Sequence, residues 1–259
     1  MGTTGVFLDL EETGGRIARL GSLWILANIL SFLPIIAIIA MPFSVIDFLI
    51  ETSSIPMFMM AILIGTVDAE GVIMLIVLFA TMELRQYTDD SRFYTGSVIC
   101  IISIIAMIVT MPIIFLMLIS SSEDIIFQLF SLMAITGLLG VLGLIGLILL
   151  MVALHELGSS NDISMLSLGA ILIILFPIIA GFLIGFGLKE LGNRLQMGME
   201  YTAIKELKEK LLSTKYPVDI KFLAKSQGLA PLALRMILVN LITKKELPGY
   251  IKKYTYYPL

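Results

Sequence analysis

The sequence predicts an all-α polytopic membrane protein that ends in a small α+β domain. Three observations predict this fold class: 58% of the 259 residues are hydrophobic, the mean hydropathy is +1.02, and only 14% of the residues are charged. Soluble domains are typically about 45–50% apolar and about 25% charged. A soluble fold cannot bury so much apolar surface, so we expect lipid to surround part of the chain.

Five apolar stretches predict transmembrane helices, because a helix needs about 20 apolar residues to cross the hydrocarbon. They cover residues 20–41, 57–84, 94–120, part of 125–157, and 165–188. A sixth span would result if the chain broke at 67–71, but each half would then be shorter than a crossing helix. We therefore expect about five transmembrane helices and keep six as the alternative.

The charges are distributed unequally along the chain. Residues 189–259 hold 13 basic and 6 acidic residues, a net +7, whereas residues 1–188 hold 4 basic and 14 acidic residues, a net −10. Lys and Arg beside the last span favour the cytoplasmic side of a cell membrane. We expect an N-terminal tail over 1–16, a transmembrane domain over 17–190, a linker over 191–199 and a cytoplasmic soluble domain over 200–259.

The sidedness of the N-terminus depends on the number of spans. Five spans with the C-terminus inside would place the N-terminus outside, together with Arg16, Arg19 and the 85–92 loop. The positive-inside rule disfavours that arrangement. Six spans would place the N-terminus inside, and both alternatives stay open.

An internal repeat relates two parts of the apolar region. Three pairs of residues share one offset of 73 positions without a gap: Glu83 with Glu156, Asp89 with Asp162, and Gly96 with Gly169. Matches at one constant offset indicate a duplicated unit. The repeat predicts two helical hairpins related by a rotation about the membrane normal, with the loops 85–92 and 158–162 on the same face.

Asp68 and Glu70 form a candidate polar site inside the membrane. An ionisable side chain costs a few kcal/mol there, so it is a functional suspect by default. The two positions are two residues apart and would not share one face of a helix. The structural interpretation is a loop or helix break at 67–71 that lines water. The functional interpretation is a proton or cation site.

Two glycine patterns predict close helix packing. In lipid, small residues let helix backbones approach each other. The helix-packing candidates are Gly137, Gly140, Gly143 and Gly146, which recur at every third position, and the GxxxG pair Gly181 and Gly185. Packing within the chain is the main interpretation, and a homo-oligomer contact is the alternative.

The composition argues against an enzyme. The chain has one histidine, His155, and one cysteine, Cys100, so neither a Ser-His-Asp nor a Cys-His arrangement is indicated. The sequence contains no HExxH and no Walker motif. We predict no catalytic residues, no metal ligands and no cofactor.

The C-terminal 60 residues resemble a known module. Residues 203–212 form an amphipathic helix, Asp219 suits the N-cap of a second helix, and Pro231 suits the first turn of a third. The segments 223–229, 234–242 and 246–251 resemble a winged helix-turn-helix. They are also similar to the winged-helix part of PCI modules, a family that binds proteins rather than DNA.

The outer face of the third helix is the candidate interaction face. It carries Leu232, Arg235, Met236, Val239, Asn240 and Thr243. A helix that reads bases presents mostly Arg, Lys, Asn, Gln or Ser, so this face is too apolar for direct readout. It favours a protein partner, a self-contact or docking on the membrane domain. The basic surplus could also bind phosphates or anionic lipid headgroups.

The membrane half resembles archaeal multi-span membrane proteins of unknown function. The resemblance lies in residues 82–92, between two predicted spans, and in residues 168–172 of the last span. It implies no activity. The sequence therefore predicts a membrane-anchored interaction protein that displays a winged-helix module to a protein partner. The alternatives are a small ion or solute transporter that uses Asp68 and Glu70, and a membrane-bound transcription regulator.

Overall fold

The structure, a computed structural model, describes residues 4–30, 55–119, 125–196 and 201–259, which are mostly helical. Elements are numbered in chain order over these residues. The helices are α1 Thr4–Leu30, α2 Ile55–Met82, α3 Leu84–Thr88, α4 Ser91–Ile119, α5 Ile125–Ser160, α6 Ser164–Leu172, α7 Pro177–Gln196, α8 Tyr201–Leu212, α9 Ile220–Ser226 and α10 Pro231–Thr243. The strands are β1 Val218–Asp219, β2 Gly249–Lys252 and β3 Thr255–Pro258.

Two of the described helices, α4 and α5, are long and apolar enough to cross a membrane. The qualifying stretches are Ser91–Ile114 in α4 and Phe130–Ser160 in α5. They coincide with the third and fourth predicted spans. The first predicted span begins within α1, but its second half, residues 31–41, lies outside the described residues.

The helix break predicted at residues 67–71 is wrong. Helix α2 runs without interruption from Ile55 to Met82, so this segment is neither a loop nor a break. Gly71 has a packing role there: a Cβ at that position would lie 2.9 Å from the Cδ1 atom of Ile108 in α4. The small residue lets α2 and α4 approach each other.

The fifth predicted span is also wrong, because its residues form two helices. Helix α6 ends at Leu172, a turn follows, and α7 starts at Pro177. Nine residues of α6 rise only about 13 Å, less than half of a hydrocarbon core of about 30 Å. The two helices pack antiparallel through glycines: a Cβ on Gly169 would lie 2.9 Å from the Ile184 nitrogen, and one on Gly187 would lie 2.6 Å from the Leu166 nitrogen.

Helix α7 also packs antiparallel against α1 through glycines on both helices. A Cβ on Gly192 would lie 2.5 Å from the Gly14 oxygen, and a Cβ on Gly185 would lie 2.8 Å from the Gly21 oxygen. Each helix thus carries two glycines seven residues apart, on the face that meets its neighbour. The predicted role of Gly185 in packing within the chain agrees with this contact.

The C-terminal module, residues 201–259, combines three helices with a small antiparallel sheet. The strand order is β1-β3-β2, and Tyr256 of β3 pairs with Val218 on one side and Ile251 on the other. Helices α9 and α10 meet at 110°. Gly228 in the turn between them has φ +67°, a conformation that glycine adopts without strain. The Asp219 side chain accepts from the Lys221 backbone N–H at 2.8 Å, as its predicted cap position requires.

The contacts divide the chain into two compact units. One unit comprises Met1–Ile25, Glu83–Ser91 and Met151–Leu259, and the other comprises Leu26–Met82 and Arg92–Leu150. The C-terminal module therefore shares a unit with the first part of α1, with the segment around α3 and with the hairpin of α6 and α7. This arrangement places the third helix of the module, α10, next to residues far away in sequence.

Candidate docking site

The two loops of the predicted repeat each contain an aspartate with the same unusual backbone conformation. The first loop is residues 85–92 and the second is residues 158–162. Asp89 has φ 59° and Asp162 has φ 54°, and the two occupy equivalent repeat positions. Positive φ is uncommon outside glycine, and Asp is among the residues that tolerate it best. The leucines at the start of the repeat match, Leu84 and Leu157, are both buried.

The second loop caps helix α10 through Asn161. The N-cap residue of α10 is Ala230, which has no side chain that can bond the first free N–H groups of the helix. The Oδ1 atom of Asn161 accepts from the Leu232 backbone N–H at 2.9 Å, in the place of the missing cap. A residue 71 positions away thus satisfies the start of α10.

The Asn161 amide is held in one orientation by further hydrogen bonds. Asn161 is only 1% exposed, and its Nδ2 atom donates to the Leu157 oxygen at 2.8 Å. Its backbone oxygen accepts from Nη1 of Arg194 at 3.1 Å. Both polar ends of the side chain are therefore used, so the loop presents a preorganised acceptor to α10.

The first loop holds α10 through Arg235. The Arg235 side chain is only 7% exposed. Its Nη1 atom donates to the Tyr87 backbone oxygen, and its Nε atom donates to the Lys253 oxygen at 3.1 Å. The Asp89 carboxylate lies 3.6 Å from Nη2 and is 76% exposed, so this ion pair contributes little stability. Carbonyl oxygens, rather than charge pairing, fix the guanidinium.

The turn between β2 and β3 contacts the same region. Tyr254 is half-buried; burial raises the pKa of its phenol, while a hydrogen bond with Asn161 partly opposes the shift. The phenol therefore stays protonated at neutral pH. Lys253 lies 3.9 Å from Glu156, but it is so exposed that the pair is weak.

A cleft of about 450 Å³ lies beside the docked face of α10. Its walls are the first part of α1, helix α3 and the exposed side of α10. Arg16 of α1 donates to the Glu12 carboxylate at 2.7 Å on one wall. The lining residues are Leu10, Glu12, Thr13, Arg16, Gln86, Tyr87, Arg235, Met236, Val239, Asn240, Thr243 and Lys244.

The structure brings the whole predicted interaction face of α10 together. Leu232 and Arg235 are buried in the contacts with the two loops. Met236, Val239, Asn240 and Thr243 line the cleft. Of the three predicted uses of this face, docking on another part of the same chain is the one that these contacts represent. A separate protein partner for this face stays a prediction.

The other predicted site residues are dispersed. Glu70 is half-buried on α2, and the side chain of Asp68 lies outside what the structure describes. A Cβ at Gly146 would lie 2.8 Å from the Gly96 oxygen of α4, and one at Gly143 would lie 3.1 Å from the Ser103 Cβ.

The remaining predicted packing glycines differ in their surroundings. A Cβ at Gly140 would have only ordinary contact, at 3.7 Å from Met107, and no described atom lies within 4 Å of one at Gly137. Gly181 is buried on α7.

Sequence reasoning missed Asn161 and Tyr87. Both act through long-range hydrogen bonds that no local pattern encodes. One signal was present: Ala230 stands at the N-cap of a predicted helix, where Ser, Thr, Asp or Asn is expected. A helix start without its own cap indicates that another segment provides one.

No protein-family model, curated protein or solved structure matches the chain. Among the described residues, no three His, Cys, Asp or Glu side chains are grouped as metal ligands would be. The geometry of the site is that of a contact surface, at which two loops bind α10.

Proposed function

We propose that this chain is a multi-pass membrane protein whose C-terminal winged-helix module binds a protein partner on the cytoplasmic side. The observation that supports this proposal most is that both repeat loops form hydrogen bonds with α10. The Asn161 side chain accepts from the Leu232 N–H, and the Tyr87 oxygen accepts from Arg235. The two loops thereby fix the position of α10, and the module presents its other surfaces in a defined orientation relative to these loops. The element order and the 110° angle between α9 and α10 support the winged-helix interpretation.

The proposed topology has four spans, α1, α2, α4 and α5, followed by a hairpin that enters and leaves from one side. The short α6 and the exposed apolar residues at its turn, Leu175 and Phe176, support a hairpin that dips into lipid. An even number of spans places both termini on one side. The grouping of residues 1–25, 83–91 and 151–259 in one compact unit supports the same conclusion.

This topology removes the conflict over sidedness. Arg16, Arg19, Arg85 and Arg92 then lie on the same side as the basic module, as the positive-inside rule requires. Reporter fusions that are active only in the cytoplasm test the topology. We expect activity at both the N- and the C-terminus, and activity at one terminus alone would contradict it.

The surface proposed for the partner is the exposed side of α9. Phe222 is 78% exposed there, and Lys221 and Lys225 are exposed on the same short helix. Exposed aromatic side chains rimmed by charges are typical of protein contact surfaces. This face does not overlap the docked face of α10, so a partner could bind while the module stays docked.

Affinity purification of the full chain from native membranes tests the function. We expect a specific protein to co-purify with the wild type and to be lost on Phe222→Ser. Tyr250→Ser is the matched control, because it also removes an exposed aromatic residue but from β2. Recovery of no specific protein, or equal recovery with both variants, would contradict the proposal.

The two alternatives have less support. A transcription regulator would need α10 for DNA, but the docked face is covered by the chain's own loops. A transporter would use Asp68 and Glu70, and only Glu70 has a described environment, half-buried on α2. Ion flux into liposomes that is abolished by Glu70→Gln would favour the transporter.

A further inference from the structure

We propose that one face of the β2–β3 hairpin docks on the anionic headgroups of the membrane that the chain spans. This hairpin face consists of Tyr250, Lys252 and Tyr257, and its occupant is the lipid surface itself. The inference rests on the proposed topology but not on the proposed protein partner, which binds at α9. It assigns a separate surface of the module to the membrane.

The turn between β2 and β3 lies next to the end of a membrane-spanning stretch. The stretch of α5 that is long enough to cross a membrane ends at Ser160. Tyr254 of the turn hydrogen-bonds with Asn161, the next residue of the chain. The Nζ atom of Lys253 lies 3.9 Å from the Glu156 carboxylate. In the proposed topology, the turn is therefore within about one helical turn, about 5.4 Å, of the point where α5 leaves the hydrocarbon.

Helix α6 places the membrane boundary at the same level. It begins at Ser164, shortly after the end of the α5 stretch. Its apolar side chains Met165, Leu168 and Ile171 are about half exposed. Contact with lipid would remove this apolar surface from water. Residues 160–165 therefore mark the membrane surface on both helices, and the β2–β3 turn contacts the chain beside them.

The hairpin face presents two stacked tyrosines beside a lysine. Tyr250 and Tyr257 pair across the strands, with ring centroids 5.0 Å apart and planes at 10°. Lys252 is exposed on the same side as Tyr250, because alternate residues of a strand share a face. A strand rises about 3.3 Å per residue, so both residues lie within about 10 Å of the turn. Tyrosine is enriched at membrane interfaces, where its ring meets apolar chains and its hydroxyl meets water.

Charge complementarity identifies the lipid as anionic. The module, residues 201–259, has 11 basic and 4 acidic residues, a net +7. Among the residues that the structure describes, Lys252 takes part in no ion pair, so its ammonium is available to a lipid phosphate. Asp219 is exposed on the same side of the sheet, but its carboxylate accepts from the Lys221 N–H as the cap of α9. Lysines beside a membrane surface are attracted to anionic headgroups.

Hydrogen exchange of the full chain in nanodiscs tests the proposal. One nanodisc contains phosphatidylcholine alone, and the other also contains about 30% phosphatidylglycerol. We expect the amides of residues 249–257 to exchange at least about fivefold more slowly with phosphatidylglycerol, the factor that one lysine contributes near an anionic surface. High salt should reduce the difference, because it screens the attraction. Equal exchange in both nanodiscs would overturn the proposal.

Two substitutions and a matched control locate the effect. Lys252→Gln should remove most of the difference between the nanodiscs, and Tyr250→Ser should reduce it through the loss of the interfacial ring. Both residues are exposed, so the fold should tolerate the changes. Lys210→Gln removes an exposed lysine from α8 and should leave the difference unchanged. Equal effects of the two lysine substitutions would refute the hairpin face, because net charge alone would then attract the module.

The hairpin face and the protein partner fail separately. Phe222→Ser should lose the partner and keep the lipid-dependent slowing, whereas Tyr250→Ser should do the reverse. Recovery of a partner by a chain that exchanges equally in both nanodiscs would refute the hairpin face and leave the proposed function intact. Aromatic rings beside lysines also suit stacked bases. Protection of residues 249–257 by a single-stranded oligonucleotide, but not by phosphatidylglycerol, would therefore overturn the assignment to lipid.

Discussion

The two repeat loops share a left-handed aspartate at equivalent positions, yet each holds the module by a different contact. Asp89 and Asp162 occupy equivalent positions and share a left-handed backbone conformation. The first loop offers a backbone oxygen to a buried guanidinium, whereas the second offers a buried side-chain amide to a helix start. Two equivalent positions of the predicted repeat thus share a backbone conformation, while the residues beside them make different contacts.

The largest expected effect follows from replacing the amide of the second loop. Asn161→Leu keeps the approximate size but leaves the Leu232 N–H and the Leu157 oxygen without their partners. Unsatisfied buried groups cost about 1–3 kcal/mol each, so we expect a loss of about 3 kcal/mol. Hydrogen exchange at the Leu232 amide should accelerate about a hundredfold.

Asp162→Asn is the matched control for Asn161→Leu. The residue is exposed, and Asn tolerates positive φ as well as Asp does, so stability should change by less than about 0.5 kcal/mol. If Asn161→Leu behaved like this control, the second loop would not cap α10.

The second-largest loss of stability is expected from replacing Arg235, whose guanidinium donates to the first loop. Arg235→Leu removes the donors to the Tyr87 and Lys253 oxygens, and we expect a loss of about 2 kcal/mol in thermal or chemical unfolding. Arg235→Lys should lose most of that amount as well, because an ammonium cannot reproduce the planar fork. Full recovery with lysine would mean that charge, rather than directed hydrogen bonds, holds α10.

The two loops also differ in how tightly they pack, as one glycine shows. Gly158 of the second loop is the repeat equivalent of Arg85 in the first. A Cβ on Gly158 would lie 2.5 Å from the Ser167 backbone nitrogen, which cannot move away freely. We expect Gly158→Ala to cost about 1–2 kcal/mol in thermal unfolding, and Arg85→Ala at the exposed equivalent to cost less than about 0.5 kcal/mol. Equal effects would indicate that the loops pack alike.

Local signals in the sequence were sufficient for some parts of the fold. The apolar stretches at 94–120 and 125–157 coincide with the two helices that are long and apolar enough to cross a membrane. Asp219 and Pro231 mark helix starts in the module as predicted, because capping and turn preferences depend on adjacent residues.

The length of the apolar stretch at 165–188 led to the wrong prediction of a single transmembrane helix there. A continuous apolar stretch satisfies one crossing helix and a helical hairpin equally well. Three residues favour the hairpin over a single crossing helix. Pro177 begins a new helix, and Gly169 and Gly187 let the two helices come into contact. The docking site was harder still. It joins residues 71 and 148 positions apart, and such contacts leave no periodic pattern.

The smallest expected effect concerns the carboxylate of the first loop. Asp89 lies 3.6 Å from the buried Arg235 yet is 76% exposed, so solvent screens the pair. Asp89→Asn keeps a residue that tolerates positive φ, and we expect a change below about 0.5 kcal/mol that vanishes at high salt. A double-mutant cycle with Arg235→Leu, which removes the charge, measures the coupling in chemical unfolding. A coupling above about 1 kcal/mol would show that Asp89 closes over the guanidinium, and both loops would then hold α10 with a side chain.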